Sequence, residues 1–195
     1  PLLPEFARRY PSVTIDLHLD DRFADLVEDR VDVAIRNGRL DDRNMIARQL
    51  APMQLIVCGS PKYFAHHPKP ETPDDLSQHR CINFRLAETG RIFPWEFESE
   101  GNRFNRSVTG GLIVNDAEAA CLAALRGMGL AQIASYQAVP HINAGRLIPV
   151  LIDYIARRRG HYICYLDRRH LPGRIRVFVD FVCSRIRARD LLLRP

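Results

Sequence analysis

Ile175, Phe178, Val179, Val182 and Ile186 recur at helical spacing near the end of the chain, so residues 173–189 read as an amphipathic helix with one apolar stripe. A helix of that length gains most of its stability by packing the stripe against something else. The chain must therefore supply a sheet to receive it. Residues 1–10 open as a shorter helix, with Leu2, Leu3, Phe6, Ala7 and Tyr10 on one side and Pro11 as a stop. From Val13 to Leu19 apolar and polar residues alternate, the pattern of a half-buried strand. Asp20 or Asp21 can cap a short helix that turns Phe23, Leu26 and Val27 inward. Residues 31–36, 45–50 and 54–59 read as three more strands, the first broken by Asn37-Gly38.

After residue 60 the character changes. Pro61, Pro68, Pro70 and Pro73 puncture the chain, leaving short helices near 62–66 and 73–77. Strands are expected at 81–85, 95–98 and 107–114. A helix then carries Ala117, Ala120, Cys121, Ala124 and Leu125 inward and ends at Gly127 or Gly129. A strand at 130–134, a helix at 135–144 and strands at 146–151 and 161–167 complete the order. The simplest packing returns the last helix to the first strands. The chain then forms two lobes, 1–58 with 166–195 and 59–165, crossing near residues 58–60 and 162–166. Two extended crossings make a hinge, and the cleft between such lobes is the usual place for a ligand. At 195 residues each lobe comes to about 100 residues, within the ordinary domain range.

Composition narrows the class. Hydrophobic residues at 46% suit a packed core rather than a disordered chain. No apolar run approaches the roughly 20 residues that cross a bilayer, and no signal peptide is visible. Cys58, Cys81, Cys121, Cys164 and Cys183 are odd in number and lack zinc spacing, so they read as buried, reduced thiols of a cytoplasmic protein. The net charge of +5 comes almost wholly from arginine, clustered at 157–159, 168–169 and 185–189. No aromatic platform accompanies these runs, so they read as solvated surface.

Three places offer ligand chemistry. At Ile113-Val-Asn-Asp-Ala-Glu-Ala119 a strand runs into a capped, Ala-rich helix. The N–H groups of such a helix start, with its dipole, favour an anion, and Asn115 can donate while Asp116 caps. The same residues also suit an ordinary N-cap with no ligand. Arg36, Asn37 and Gly38 end a buried strand, where open α/β sheets place ligands; a solvent-facing arginine at a turn is the equal alternative. Phe84 ends the first strand after the crossing and can stack on a ligand or fill the core. Catalytic sets are missing. There is no P-loop, GxGxxG or GxSxG. His66-His67 are badly placed to chelate together, and Asp41-Asp42 and Asp74-Asp75 sit where aspartate caps turns. Cys121 lies among alanines, which opposes a reactive thiolate.

The run Leu2-Leu-Pro-Glu-Phe-Ala-Arg-Arg-Tyr-Pro11, then Asp25-Leu-Val-Glu-Asp29, Val31-Asp-Val-Ala-Ile-Arg36, Cys58-Gly-Ser-Pro-Lys-Tyr-Phe64, Val114-Asn-Asp-Ala-Glu118, Gly127-Met-Gly-Leu130 and Arg168-Arg-His-Leu-Pro172 resembles, in order, the effector-binding domain of LysR-type transcriptional regulators. The resemblance implies an α/β fold of two Rossmann-like subdomains joined by two crossover strands, type 2 periplasmic-binding-protein-like. It implies a small anionic or aromatic effector in the cleft, no cofactor, no membrane partner, and assembly as a homodimer or homotetramer. DNA would be bound only through an N-terminal winged helix-turn-helix domain, absent from these residues. The family normally also has a strand and a Ser/Thr-bearing loop ahead of the opening helix. Family members often carry a proline where Ala134-Ser135 stands here, so those two residues enter as a distinct part of the pocket floor. A solute-binding protein of a transport system would share the fold and remains the alternative reading.

Overall fold

Phe6 is fully buried on α1 (Leu2–Arg9), and its ring meets Phe178 edge-on at 5.1 Å and Phe181 at 5.3 Å. Those partners lie on α5 (Gly173–Arg187), so the two ends of the sequence share one hydrophobic cluster. Arg185 donates to Glu5 across the same helix pair. The computed structural model describes residues 2–19, 26–37, 45–87, 89–156, 159–166, 171–187 and 192–193. The chain divides into two compact units, Pro1–Pro52 with Arg159–Asp190 and Met53–Arg158 with Leu191–Pro195.

In the first unit β1 (Ala34–Asn37), β2 (Met45–Met53) and β10 (Arg159–Leu166) form a sheet in the order β1-β10-β2, with β1 antiparallel to β10. The stripe on α5 buries Ile175, Val179 and Val182 against Leu50, Ile163 and Tyr165, as its periodicity requires. The alternating segment 13–19 departs from expectation. Val13 and Ile15 pack on this cluster, but Leu17 and Leu19 are 57% and 87% exposed and the segment forms no ladder. Alternation supplies the side-chain pattern of a strand but not the neighbour that satisfies its backbone. The short helix expected near 21–27 lies largely outside the described residues; Leu26 is buried but Val27 is exposed, in a turn rather than on an inward helix face. Asp41-Asp42, Arg157, Arg158, Arg168, Arg169 and Arg189 also lie outside the described residues.

In the second unit β3 (Leu55–Gly59) lies between β8 (Ala131–Ala134) and β9 (Ile148–Val150), antiparallel to both. β4 (Ile82–Phe84) runs parallel to β7 (Leu112–Val114), and a single parallel bridge, Cys81 to Leu130, joins this pair to the larger sheet. α3 (Ala117–Leu125) and α4 (Ser135–Asn143) bury Ala120, Cys121, Ala124 and Ala138 with Ile56, Cys58 and Ile82. Val57, between Ile56 and Cys58, faces a separate cluster with Tyr63, Leu76, Trp95 and Phe97, as the two-residue period of a strand demands. Tyr63 belongs to the short helix α2 (Pro61–Phe64).

Of the strand expected over 107–114 only its end, β7 (Leu112–Val114), forms, and a strand that the sequence reading did not expect, at Asn102–Arg106, precedes it. β5 (Trp95–Ser99) and β6 (Asn102–Arg106) make a hairpin turned by Glu100 and Gly101, both with positive φ. The chain then loops to β7. The Asn-Arg-Phe-Asn-Arg sequence of β6 is polar on both faces except at Phe104, which hides its strand period. Gly110 interrupts the run because a Cβ there would stand 1.7 Å from the Cys81 carbonyl oxygen.

The chain changes unit at 52/53, 158/159 and 190/191; β3 is laddered to β8 and β9, while β10 is laddered to β1. The last residues join the second unit through Gln54, whose side chain binds the backbone of Leu193.

Candidate ligand-binding site

The parallel pair β4 and β7 brings three of the expected residues to one sheet end. Phe84 is opposite Val114, so its half-buried side chain stands at the strand ends from which Asn115 and Asp116 lead into α3. The Val114 carbonyl accepts from Arg85 N–H at 2.7 Å, closing the strand end. Asp116 is extended (φ −128, ψ 128), and its Oδ1 accepts the Ala119 N–H at 2.7 Å. That is the geometry of an N-cap. Asn115 is exposed beside it.

The electrostatics of this helix start are mixed. The α3 dipole favours an anion, but the Asp116 carboxylate already occupies one donor and Glu118 adds a second carboxylate in the first turn. Glu118 accepts from Gln137 on α4 at 3.3 Å. A neutral acceptor or an aromatic ring meets less repulsion there than a full anion would.

Ala134 closes β8 opposite Leu55, and Ser135 begins α4 fully buried. The Ser135 hydroxyl accepts the Gln54 N–H at 3.3 Å, and the Ser135 N–H donates to the Gln54 carbonyl at 2.9 Å. Its polar atoms are thus used to continue the β3–β8 ladder by one step.

In the first unit Arg36 is half-buried and Asn37 exposed at the end of β1, opposite Tyr162 and His161 respectively. The Asn37 side-chain oxygen is hydrogen-bonded to Nδ1 of His161. Burial holds the His161 imidazole below its ordinary pKa. Burial also raises the Cys164 thiol, against the opposing pull of the Arg36 charge. Gly38 lies outside the described residues. His161 and Tyr162 escaped the sequence reading because their place beside Asn37 and Arg36 depends on register. A polar pair inside an otherwise apolar strand was the available signal.

The remaining polar clusters hold structure. Asp75 accepts the N–H groups of Glu71 and Thr72 at 3.0 and 2.8 Å, and these bonds lower its pKa. Asp74 pairs with Arg106 at 2.9 Å. The Tyr63 hydroxyl receives the Arg80 N–H and lies 3.1 Å from His79 Nδ1, while the His67 ring stacks on Tyr63 at 4.2 Å. All five cysteines are buried and unbonded to one another; burial pushes Cys81 to about 12 and Cys121 to about 11, far from thiolate chemistry at neutral pH. Among the described residues no group of His, Cys, Asp and Glu could hold a metal ion, and no helix is long and apolar enough to cross a membrane.

Residues 1–186 match the family described as LysR substrate binding domain. YcaN of Escherichia coli K12, described as an uncharacterized HTH-type transcriptional regulator, is 34% identical over 182 residues, covering 93% of this chain and 59% of the relative. An HTH-type transcriptional repressor of Pseudomonas aeruginosa UCBPP-PA14 is 34% identical over 182 residues, 93% of this chain and 57% of the relative. This chain thus spans less than two thirds of the length of such relatives. The CrgA regulatory domain from Neisseria meningitidis superposes with a TM-score of 0.83 at 28% identity, over 95% of this chain and 90% of that one. The regulatory domain of AphB in Vibrio vulnificus gives 0.77 at 28%, with the same coverages. The mixed α/β architecture is that of these domains, the type 2 periplasmic-binding-protein-like fold expected from the sequence.

Proposed function

The chain belongs to the LysR substrate binding domain family, and from that premise we propose that it is the effector-sensing part of a LysR-type transcriptional regulator whose DNA contacts are made by a helix-turn-helix domain outside these residues. The observation that carries the reading is the family match over residues 1–186. The effector is a small molecule with a carboxylate or an aromatic ring. Arg36 supplies the charge for a carboxylate, and Phe84 with Asn115 supplies a ring contact and a donor beside the start of α3. The carboxylates of Asp116 and Glu118 favour the uncharged end of the ligand on that side. Effector binding shifts the population of conformers that the DNA-binding part reads. The regulator acts in the cytoplasm as a homodimer or homotetramer. The names of the curated relatives, all transcriptional regulators among those cited, favour this over a transport solute-binding protein.

A thermal-shift screen of the chain against small carboxylates and aromatics tests the reading, since a ligand that binds the native state raises its melting temperature as saturation grows. The expected result is one chemical class that stabilises, with the effect lost in Arg36→Ala and in Asn115→Ala. A ligand whose shift is indifferent to both substitutions would sink this site.

A further inference from the structure

Tyr63 on α2 and His79, just after the 3-10 helix Pro73–Gln78, are both buried in the second unit. The Tyr63 hydroxyl accepts the Arg80 N–H at 3.1 Å, so its own proton needs an acceptor, and His79 Nδ1 lies 3.1 Å away. That selects the neutral tautomer in which Nδ1 is bare and takes the hydroxyl proton. The His67 ring stacks on Tyr63 at 4.2 Å, its Nδ1 donates to the Tyr63 carbonyl at 3.0 Å, and its centroid is 6.5 Å from that of His79. Asp75, Arg80 and the Cys81 thiol are the other ionisable groups that act on this trio. The Asp75 carboxylate already accepts the Glu71 and Thr72 N–H groups, and the rest of the cluster is apolar, with Leu76, Trp95, Phe97 and Leu130.

This contact sits where β4 begins. The Arg80 N–H is held by Tyr63, and the Arg80 carbonyl accepts the Leu130 N–H at 2.8 Å, just ahead of β8. At the other end of β4 Phe84 stands opposite Val114, at the entry to Asn115 and Asp116. At about 3.3 Å per residue, roughly 13 Å of extended chain joins Arg80 to Phe84.

A proton on His79 removes the acceptor. Nδ1 then donates, and the Tyr63 hydroxyl can receive it only by turning its own proton toward apolar surroundings. A buried donor without a partner is costly, so the contact reorganises. Burial and then the His67 charge hold the His79 imidazole below its ordinary pKa, with Asp75 opposing. The neutral arrangement is therefore the one present at neutral pH.

We propose that Tyr63, His67 and His79 form a proton-operated latch on β4: protonation of His79 breaks the bond pattern that holds Arg80, and the shift of β4 resets Phe84 at the candidate ligand site. The meaning of this as regulation rests on the effector reading above; the latch itself does not depend on what binds.

The test uses protons alone. The 15N-labelled chain is titrated from about pH 8 to about pH 5.5, a range that brackets the ordinary histidine value, while the His67 and His79 rings and the backbone amides are followed together. The expected result is that the Arg80 and Phe84 amides move with the midpoint of the His79 ring. In His79→Gln, whose amide can take the Tyr63 bond but cannot titrate, both movements should be lost. In Tyr63→Phe the His79 ring should still titrate while Arg80 and Phe84 no longer follow it. In His67→Gln the His79 midpoint should rise, because a neighbouring cation is gone, and the Phe84 response should persist. The spectrum of each variant at the alkaline end checks its folding. The proposal is overturned if His79 stays neutral through the range, or if Phe84 does not move with it. It is equally overturned if Phe84 responds as before in His79→Gln or Tyr63→Phe. A ligand screen that finds no stabilising compound would count against the effector reading and leave these results standing.

Discussion

Gln54 holds the backbone of Leu193 at two points, its Oε1 accepting the Leu193 N–H at 2.8 Å and its Nε2 donating to the Leu193 carbonyl at 3.4 Å. The backbone of Gln54 is meanwhile paired with Ser135. A single residue beside the change of unit thus fixes the start of α4 and the end of the chain. Gln132 uses the same device on Glu96, with bonds of 3.1 and 2.8 Å.

Gln54→Ala is expected to cost about 1–2 kcal/mol, the net worth of two such bonds. Truncation after residue 191 should cost a similar amount, and the two changes together should cost less than their sum. Urea denaturation of the four proteins checks this; strict additivity would show that the two are not energetic partners.

Gly110→Ala should destabilise by more than about 3 kcal/mol, beyond ordinary overpacking, because the added Cβ would meet the Cys81 carbonyl oxygen at 1.7 Å. Gly111→Ala meets nothing within 4 Å and serves as the neighbour control. Equal soluble yield and equal melting temperature for the two variants would contradict the close approach.

Asp116→Ala should cost about 1 kcal/mol through loss of the α3 cap, whereas Asn115→Ala should leave stability nearly unchanged and act on ligand binding alone. Melting curves with and without a stabilising ligand separate the two roles.

Acid should weaken the second unit through His79. Burial, reinforced by His67 and opposed by Asp75, holds its pKa below 6.5. The Tyr63 hydroxyl, which receives the Arg80 N–H, has its own proton available for Nδ1 of a neutral His79. The native state therefore binds fewer protons than the unfolded chain. This contribution is complete above pH 6.5 and is lost as the pH falls through 6.5 toward the folded value. Melting temperature measured from pH 7.5 to 5 should fall, and less steeply in His79→Gln. An unchanged slope in the variant would exclude His79 as the source. His161, depressed by burial in the first unit, acts in the same direction.

Much of the element order was legible because apolar period is local. The stripe of α5, the inward alanines of α3 and the apolar run of β3 all appear where their residues require. The helix start at Asp116 was equally readable, since an N-cap needs only the next three residues. What failed did so for want of a partner. The segment 13–19 has the alternation of a strand without a ladder, and β6 has a ladder without the alternation. His161 became a neighbour of Asn37 only through the register of β1 on β10.

The sequence by itself determined the helices α3 and α5 and the strand β3, which of their faces are apolar, that the thiols are buried, and the family to which the chain belongs. Those properties follow from spacing along the chain. The tertiary structure alone decided that Phe84 stands beside Asn115, that Ser135 spends its polar atoms on Gln54, and that Asp180 turns to Arg48. Each of these is a choice among partners distant in sequence, and hydrogen-bond geometry and packing make that choice only once the sheets are assembled.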